Sequence, residues 1–430
     1  MSRKSAVRFL SKNGMYWGDL KPKALVARFL KEMDQGLAGK ASTLKMIPAY
    51  IEVDAGKAVP RKPVTVIDAG GTNFRVAVVE PAAGGVKVLR MDHHPMPGVE
   101  RELSKAEFFE TVAGYVAPFA DVSETIGFCF SYPSEIFPDR DGRLIHFVKE
   151  VKAKEVEGEK IGAGLHAALA KKGAFAAKRS VILNDTVATL LAGFFAGASK
   201  AYGSYIGFIL GTGTNTAYVE RNAAILKVPG FDPGKSQAIN IESGAWGGMP
   251  RGRLDLAFDA TLQDPGSHPF EKMISGAYLG PLALSVFKAA AKGGLVSGAA
   301  ASKLGALTNL ETRDLGVFLA DPAAPGPLTG AVPGEDVDTL WYLADALLDR
   351  AALLASVNLA SVVIQSGSGT DPRHPVGIVA EGSTIHKLHS FRSKIDFHLK
   401  GLLDAYGRHA ELLVVENATL TGSAVAGLLG

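Results

Sequence analysis

Apolar residues recur at helical spacing near the start of the chain. Leu25, Phe29, Leu30, Met33 and Leu37 predict an amphipathic helix over 22–38, with Pro22 suited to its first turn. A linker bearing glycine and lysine follows, and Pro60-Arg61-Lys62-Pro63 reads as a boundary between lobes. The period then changes. Val64 to Asp68 is an apolar, β-branched run, Ala69-Gly70-Gly71-Thr72-Asn73 is a glycine turn, and Phe74 to Val79 is a second apolar run. Strand, turn and strand are predicted.

The pattern recurs mid-chain, where Tyr205 to Leu210 leads through Gly211-Thr212-Gly213-Thr214-Asn215 into Thr216 to Val219. Two hairpins with one turn chemistry suggest a duplicated α/β unit with a cleft between the copies, although a shared Gly-Thr-Asn triplet is slender support. Between them, strands are predicted over 126–130, 143–148 and 181–183, with a turn at Asp139-Arg140-Asp141-Gly142. An amphipathic helix is marked by Val187, Leu190, Leu191, Phe194 and Phe195. The Pro/Gly/Ala-rich stretch 320–333 reads as a surface loop. Ala351 to Thr370 is the longest uncharged stretch, but only its part up to Ile364 is strongly apolar. That predicts a buried core helix rather than a membrane span. Alternating strands and helices indicate α/β architecture.

Composition narrows the functions. The chain has 430 residues, 47% hydrophobic and 21% charged, enough for two or three domains with a sizeable core. Its 46 basic and 43 acidic residues leave +3, too small a bias for a nucleic-acid surface. Cys129 is the single cysteine, which excludes an intramolecular disulfide, a cysteine-based zinc site and an iron–sulfur cluster. The first ten residues carry the charges of a signal peptide without its apolar core, and Arg8 and Lys12 interrupt any such core. A cytoplasmic protein is expected, with neither membrane nor nucleic acid as partner; the oligomeric state stays open.

The chemistry-bearing residues cluster at the turns. Glycine backbone lets N–H groups approach an anion, and Thr72, Asn73, Thr212, Thr214 and Asn215 add neutral donors. Asp68 ends a strand beside the first turn, where a carboxylate can hold Mg²⁺ through water next to phosphate oxygens. Two matched turns favour phosphate binding over two hairpins with merely permissive glycines. Gly234-Lys235-Ser236 resembles the tail of a P-loop, but Pro229 stands where its first glycine belongs. Asn184-Asp185-Thr186 lies between strand and helix. Those residue types suit an N-cap, while Asp185 is also placed to accept a hydroxyl proton in phosphoryl transfer. Ser131, Lys149, Asn240, Glu242 and Glu271 are polar groups in glycine-rich or apolar settings and suit a polyol if the fold gathers them.

These segments resemble the hexokinases, including the glucokinase-like enzymes, of the actin-like ATPase superfamily. Ile67 to Val76 looks like the family's first phosphate motif, Phe128 to Pro133 its sugar-binding segment, Asn184 to Thr189 its catalytic segment and Gly211 to Asn215 its second phosphate turn. Phe270 to Gly280 and Glu155 to Glu159 are also family-like, and the matches run in family order from about residue 25 to 425. The resemblance implies a two-lobed actin-like ATPase fold, a duplicated ribonuclease H-like unit with a sugar/ATP cleft between the lobes. Its small lobe would be 61–186 with the C-terminal helix 420–430, and its large lobe 1–60 and 187–419. Ser131, Lys149, Asn184, Asp185, Asn215, Glu242 and Glu271 would bind a hexose, with glucose expected and mannose or fructose as alternatives. Asp185 would be the base at the 6-hydroxyl, with Arg75 and Lys149 near the transferring phosphate. ATP and Mg²⁺ would occupy Asp68, Gly70, Gly71, Thr72, Asn73, Gly211, Thr212, Gly213, Thr214, Gly382 and Ser383, with the metal on Asp68 through water.

There are three departures from the family pattern. Val148 replaces a sugar-contacting threonine, Glu416 to Gly422 keeps only the last glycine of a nucleotide-side motif, and Gly430 gives a short final helix. The competing readings are a catalytically weak sugar-binding or regulatory protein on the same fold, and the bacterial sugar kinase/repressor group. The latter group's zinc-binding cysteine cluster is impossible with Cys129 alone.

Overall fold

The computed structural model describes residues 3–429 apart from 54–58, 83, 148–150, 175, 197–199 and 330–333. Among the described residues the strands are β1 (Ile47–Glu52), β2 (Val64–Gly70), β3 (Asn73–Ala82), β4 (Gly85–Pro95), β5 (Thr125–Phe130), β6 (Ser134–Ile136), β7 (Gly142–Leu144), β8 (Arg179–Leu183), β9 (Ser204–Leu210), β10 (Thr214–Arg221), β11 (Ser236–Asn240), β12 (Val376–Glu381) and β13 (Ala410–Leu413). A five-stranded sheet runs β4-β3-β2-β5-β8 and a six-stranded sheet β1-β11-β10-β9-β12-β13, while β6 and β7 form a separate ribbon.

The two large sheets share one topology. In each, three strands form an antiparallel meander (β2-β3-β4 and β9-β10-β11). Two further strands then add in parallel beside the first of the three, β5 and β8 in one sheet and β12 and β13 in the other. Numbered within its own repeat, each unit reads 3-2-1-4-5, and β1 adds antiparallel to β11 at the outer edge of the six-stranded sheet. The duplication hinted at by a single triplet is therefore explicit in the strand order. Parallel neighbours need crossovers, supplied by helices such as Lys105–Val116 and Ile161–Lys171 in the first unit. The Pro60 to Pro63 segment links β1 of one sheet to β2 of the other, where the sequence placed a boundary.

The helix Pro22–Leu37 forms as predicted and buries Leu25, Phe29, Met33 and Leu37. It lies against the 32-residue helix Gly334–Gln365. That helix is long and apolar enough to cross a membrane, yet its most apolar window is 89% buried inside the protein. It is a core helix. Its buried Arg350 meets Asp255 through two bonds of 2.8 and 2.7 Å. The last helix, Ala418–Leu429, packs on β2 and β5 and against the helix Asp185–Ala196, which itself packs on β9. Both helices thus lie between the sheets.

Two expectations change. The strand predicted over 143–148 ends at Leu144, because the next backbone groups find partners outside any sheet. The Ile145 amide donates to the Pro133 carbonyl and the Phe147 amide to the Glu157 carboxylate. The helix expected from Val187 already begins at Asp185. Ala320 of the predicted loop ends the helix Thr312–Ala320, residues 321–329 follow as turns and bends, and 330–333 lie outside the described residues.

Candidate active site

Strand β8 is fully apolar at its end, and the chain leaves it through Asn184 into the helix Asp185–Ala196. Asn184 and Asp185 each accept a 2.8 Å bond from the Thr186 amide through Oδ1. Asn184 therefore caps the helix, as its residue type suggested. Asp185 projects from the first turn, and burial lifts its carboxyl from the ordinary range to about 6. The Thr186 amide and hydroxyl oppose that rise, whereas the negative charges of Asp68 and Glu242 add to it. Asp68 belongs to the five-stranded sheet and Glu242 follows the six-stranded one, so Asp185 feels both halves of the molecule. A carboxylate titrating near 6 is suited to take up a proton at neutral pH.

The first glycine turn joins β2 to β3, with Gly70 opposite Asn73 and Gly71 at φ 63°. Thr72 and Asn73 are exposed at its tip. Gly70 lies against Ser131: an added Cβ would meet the serine Cβ at 3.0 Å. The turn and the predicted sugar segment are therefore neighbours. Asp68 pairs with Arg75, its cross-strand partner, and accepts from Thr419 Oγ1 at 3.0 Å. Arg75 also donates to Thr419 at 3.2 Å. Thr419 is a contact that sequence reasoning missed, since nothing in its neighbourhood marks it as reaching back 351 residues.

The second turn, between β9 and β10, is built for close approach. Gly276 and Thr384 each bond the Gly211 carbonyl at 2.8 Å, through the amide and the hydroxyl respectively. Gly382, at φ 118°, has no room for a Cβ beside Leu210. Two distant segments, at 276 and at 382–384, thus converge on one turn. Beside them opens a cavity of about 860 Å³ that includes Thr212, Ala277, Arg313, Ser383 and Lys387. Its size suits a nucleotide, and Arg313 and Lys387 supply positive charge for phosphate. Residues 416–422 do not line it. Gly422 instead packs against Ala188, so the glycine kept there serves the contact between helices.

The polyol candidates gather beyond this turn. Asn215 Nδ2 donates to Asn240 Oδ1 at 2.8 Å, and Asn240 Nδ2 donates to Glu242 Oε1 at 2.8 Å. Glu271 accepts from the Thr214 amide at 2.9 Å, and burial pushes its carboxyl above the usual range. Gly213 and Gly244 leave the space its carboxylate occupies. Lys272, next to Glu271, is buried against Asp259 at 2.7 Å and fixes the short helix that carries the pair. The Cys129 thiol, buried near Asp68 and Asp185, is pushed upward by burial and stays protonated. Lys149 and Val148 lie outside the described residues.

Magnesium would have one protein carboxylate here. Among the described residues no group of three or more His, Cys, Asp or Glu side chains converges to hold a metal ion. Asp68 beside a phosphate turn fits a cation held through water, with phosphate oxygens as its other ligands.

A family model described as Hexokinase matches residues 205–429, and a second of the same description matches 13–195. This chain belongs to the hexokinase family. Human Hexokinase-3 is 30% identical over 85% of this chain and 41% of its own length. Rice Hexokinase-7 is 29% identical over 94% of this chain and 92% of its own length. The chain thus spans about two fifths of the length of the mammalian relatives it matches. A hexokinase from Schistosoma mansoni complexed with glucose superposes with a TM-score of 0.75, at 24% identity over both whole chains. A second hexokinase crystal structure gives 0.80 at 22% identity, covering this chain entirely and 96% of that one. These likenesses agree with the two-lobed actin-like fold that the paired 3-2-1-4-5 sheets show.

Proposed function

We propose that this chain transfers the terminal phosphoryl group of ATP to the 6-hydroxyl of a hexose, glucose first among the candidates. The observation that carries the reading is Asp185, lifted to about 6 chiefly by burial, with smaller contributions from Asp68 on the phosphate side and Glu242 in the polyol cluster. Hexose hydroxyls would bond Asn184, Asn215, Glu242, Glu271 and Ser131. Asp185 takes the 6-hydroxyl proton as that oxygen attacks the terminal phosphorus, and the bond to ADP breaks. Magnesium, when bound, neutralises phosphate charge, and Asp68 would hold it through water. Arg75, released from Asp68, and Lys149, assigned by resemblance, would face the transferring group. Residues 61–186 with the C-terminal helix 420–430, and residues 1–60 with 187–419, would act as lobes whose closure excludes water.

The experiment is a coupled assay for ADP with ATP and glucose, mannose or fructose, with hexose 6-phosphate measured directly when ADP or pyrophosphate replaces ATP as donor. Hexose-dependent ADP formation is expected. Tight hexose binding without turnover would instead establish a sugar-binding protein on this fold.

A further inference from the structure

Glu242 sits in left-handed backbone, φ 58° and ψ 49°, a conformation that an L residue keeps only when its surroundings impose it. The next residue, Ser243, is fully buried and supplies the restraint. Its amide donates to Asn215 Oδ1 at 3.2 Å, and its hydroxyl lies 3.1 Å from the Thr216 hydroxyl. The Thr216 amide bonds the same Asn215 oxygen at 2.7 Å. Thr216 and Ser243 therefore hold one side of the Asn215 amide, and its Nδ2 is left to face Asn240 and Glu242.

Behind them stands Asn358, in the apolar helix Gly334–Gln365, donating through Nδ2 to Thr216 Oγ1 at 2.7 Å. Thr216, Ser243 and Asn358 are all 0% exposed. Asn358 Oδ1 finds no partner among the described residues. An amide half-satisfied in an apolar helix destabilises the fold, so its presence calls for another explanation. With Asn358 donating, the Thr216 hydroxyl can pass its own proton towards Ser243, and the three groups run in one direction. We infer that Asn358 is a positioning residue for the hexose site. It fixes Thr216 and Ser243, and through them the rotamer of Asn215 and the backbone of Glu242. The inference rests on the functional reading above, because it assumes that Asn215 and Glu242 meet sugar.

The test is Asn358→Leu, of similar volume but without the donor, alone and combined with Thr216→Val. Steady-state constants for glucose and ATP are measured with the melting temperature of each variant. The glucose KM should rise about five- to thirty-fold, the loss expected for disordered hydrogen bonds to a bound ligand. The ATP KM should stay within about twofold, and kcat should change little. Adding Thr216→Val should raise the glucose KM no further, since both changes cut one chain. Should Asn358→Leu fail to fold, Ser243→Ala interrupts the same chain and should shift the glucose KM alone. An unchanged glucose KM in the variants that fold, or equal shifts in both KM values, would overturn the inference. A wild-type chain that neither binds nor phosphorylates a hexose overturns the functional reading and the inference with it.

Discussion

Gly422 of the last helix lies so close to Ala188 that a Cβ built on it would stand 1.7 Å from the Ala188 carbonyl oxygen. On a neighbouring face, a Cβ on Gly127 of β5 would meet the Ser423 carbonyl oxygen at 1.8 Å. The helix is wedged between a strand of one sheet and a helix resting on the other, and glycines at both contacts allow the fit. Alanine at 422 gains about 1 kcal/mol of helix propensity but must push backbone from backbone, which costs more. Gly422→Ala is expected to lower stability by roughly 2–4 kcal/mol. Urea unfolding measures it, and a midpoint equal to or above wild type would show that the helix shifts freely.

Asp185 predicts opposite pH effects on activity and on stability. As the base it must be ionised, so kcat/KM for the hexose should rise with pH through about 6 and then level. Asp185→Asn keeps a hydrogen-bonding group but cannot take the proton, so turnover should fall about 10²- to 10⁴-fold. Stability runs the other way. The folded carboxyl titrates higher than the unfolded one, so the folded state holds its proton more tightly. Stability from this group is complete below the unfolded value near 3.8 and is lost as pH rises towards about 6. Asp185→Asn should therefore be more stable than wild type at pH 7.5, by about 1–3 kcal/mol, with the gap closing towards pH 4. Thermal melts across that range check it.

Arg350 and Asp255 are a buried pair with side chains only 2% and 4% exposed. Such a pair is modest evidence of net stability, but cutting one half leaves a charge without a partner. Arg350→Met should cost about 3–5 kcal/mol. Adding Asp255→Leu should recover part of it, and not all, because Asp255 also accepts from the Gly252 amide at 2.7 Å to start the helix Arg253–Asp259. Denaturation of both variants separates the terms. Equal stability of single and double variants would mean that Asp255 is satisfied without Arg350.

The parts of this molecule legible in the sequence are those written locally. The glycine turns at 70–72 and 211–213 stand between β-branched runs, so strand, turn and strand follow from a few consecutive residues. Asn184 as a cap and the burial of the helix containing Arg350 are equally local. The strand predicted over 143–148 stops short of Ile145, which is 56% exposed and whose amide donates to the Pro133 carbonyl. The relations that organise the site are long-range. Asn358 reads only as a polar interruption of an apolar helix until the fold sets it against Thr216. Thr419 likewise gains meaning only beside Asp68 and Arg75. No local pattern encodes either meeting, because each depends on how the sheets and the helices between them are stacked.

Gly213 offers a substitution that separates site from fold. A Cβ there would come 2.5 Å from Glu271 Oε2, the oxygen that accepts from the Thr214 amide. Unlike the carbonyl facing Gly422, that oxygen ends a flexible side chain and can swing away. Gly213→Ala should leave stability within about 1 kcal/mol of wild type, since the adjustment is one rotamer of a partly buried carboxylate. The hexose site should suffer instead, because Glu271 would lose the bond that aims it. The glucose KM is expected to rise about five- to fifty-fold, matching a misdirected charged hydrogen bond to a hydroxyl. A rise confined to the ATP KM would assign Gly213 to the phosphate turn alone and detach Glu271 from the sugar. Measuring both constants at saturating concentrations of the other substrate decides between these outcomes.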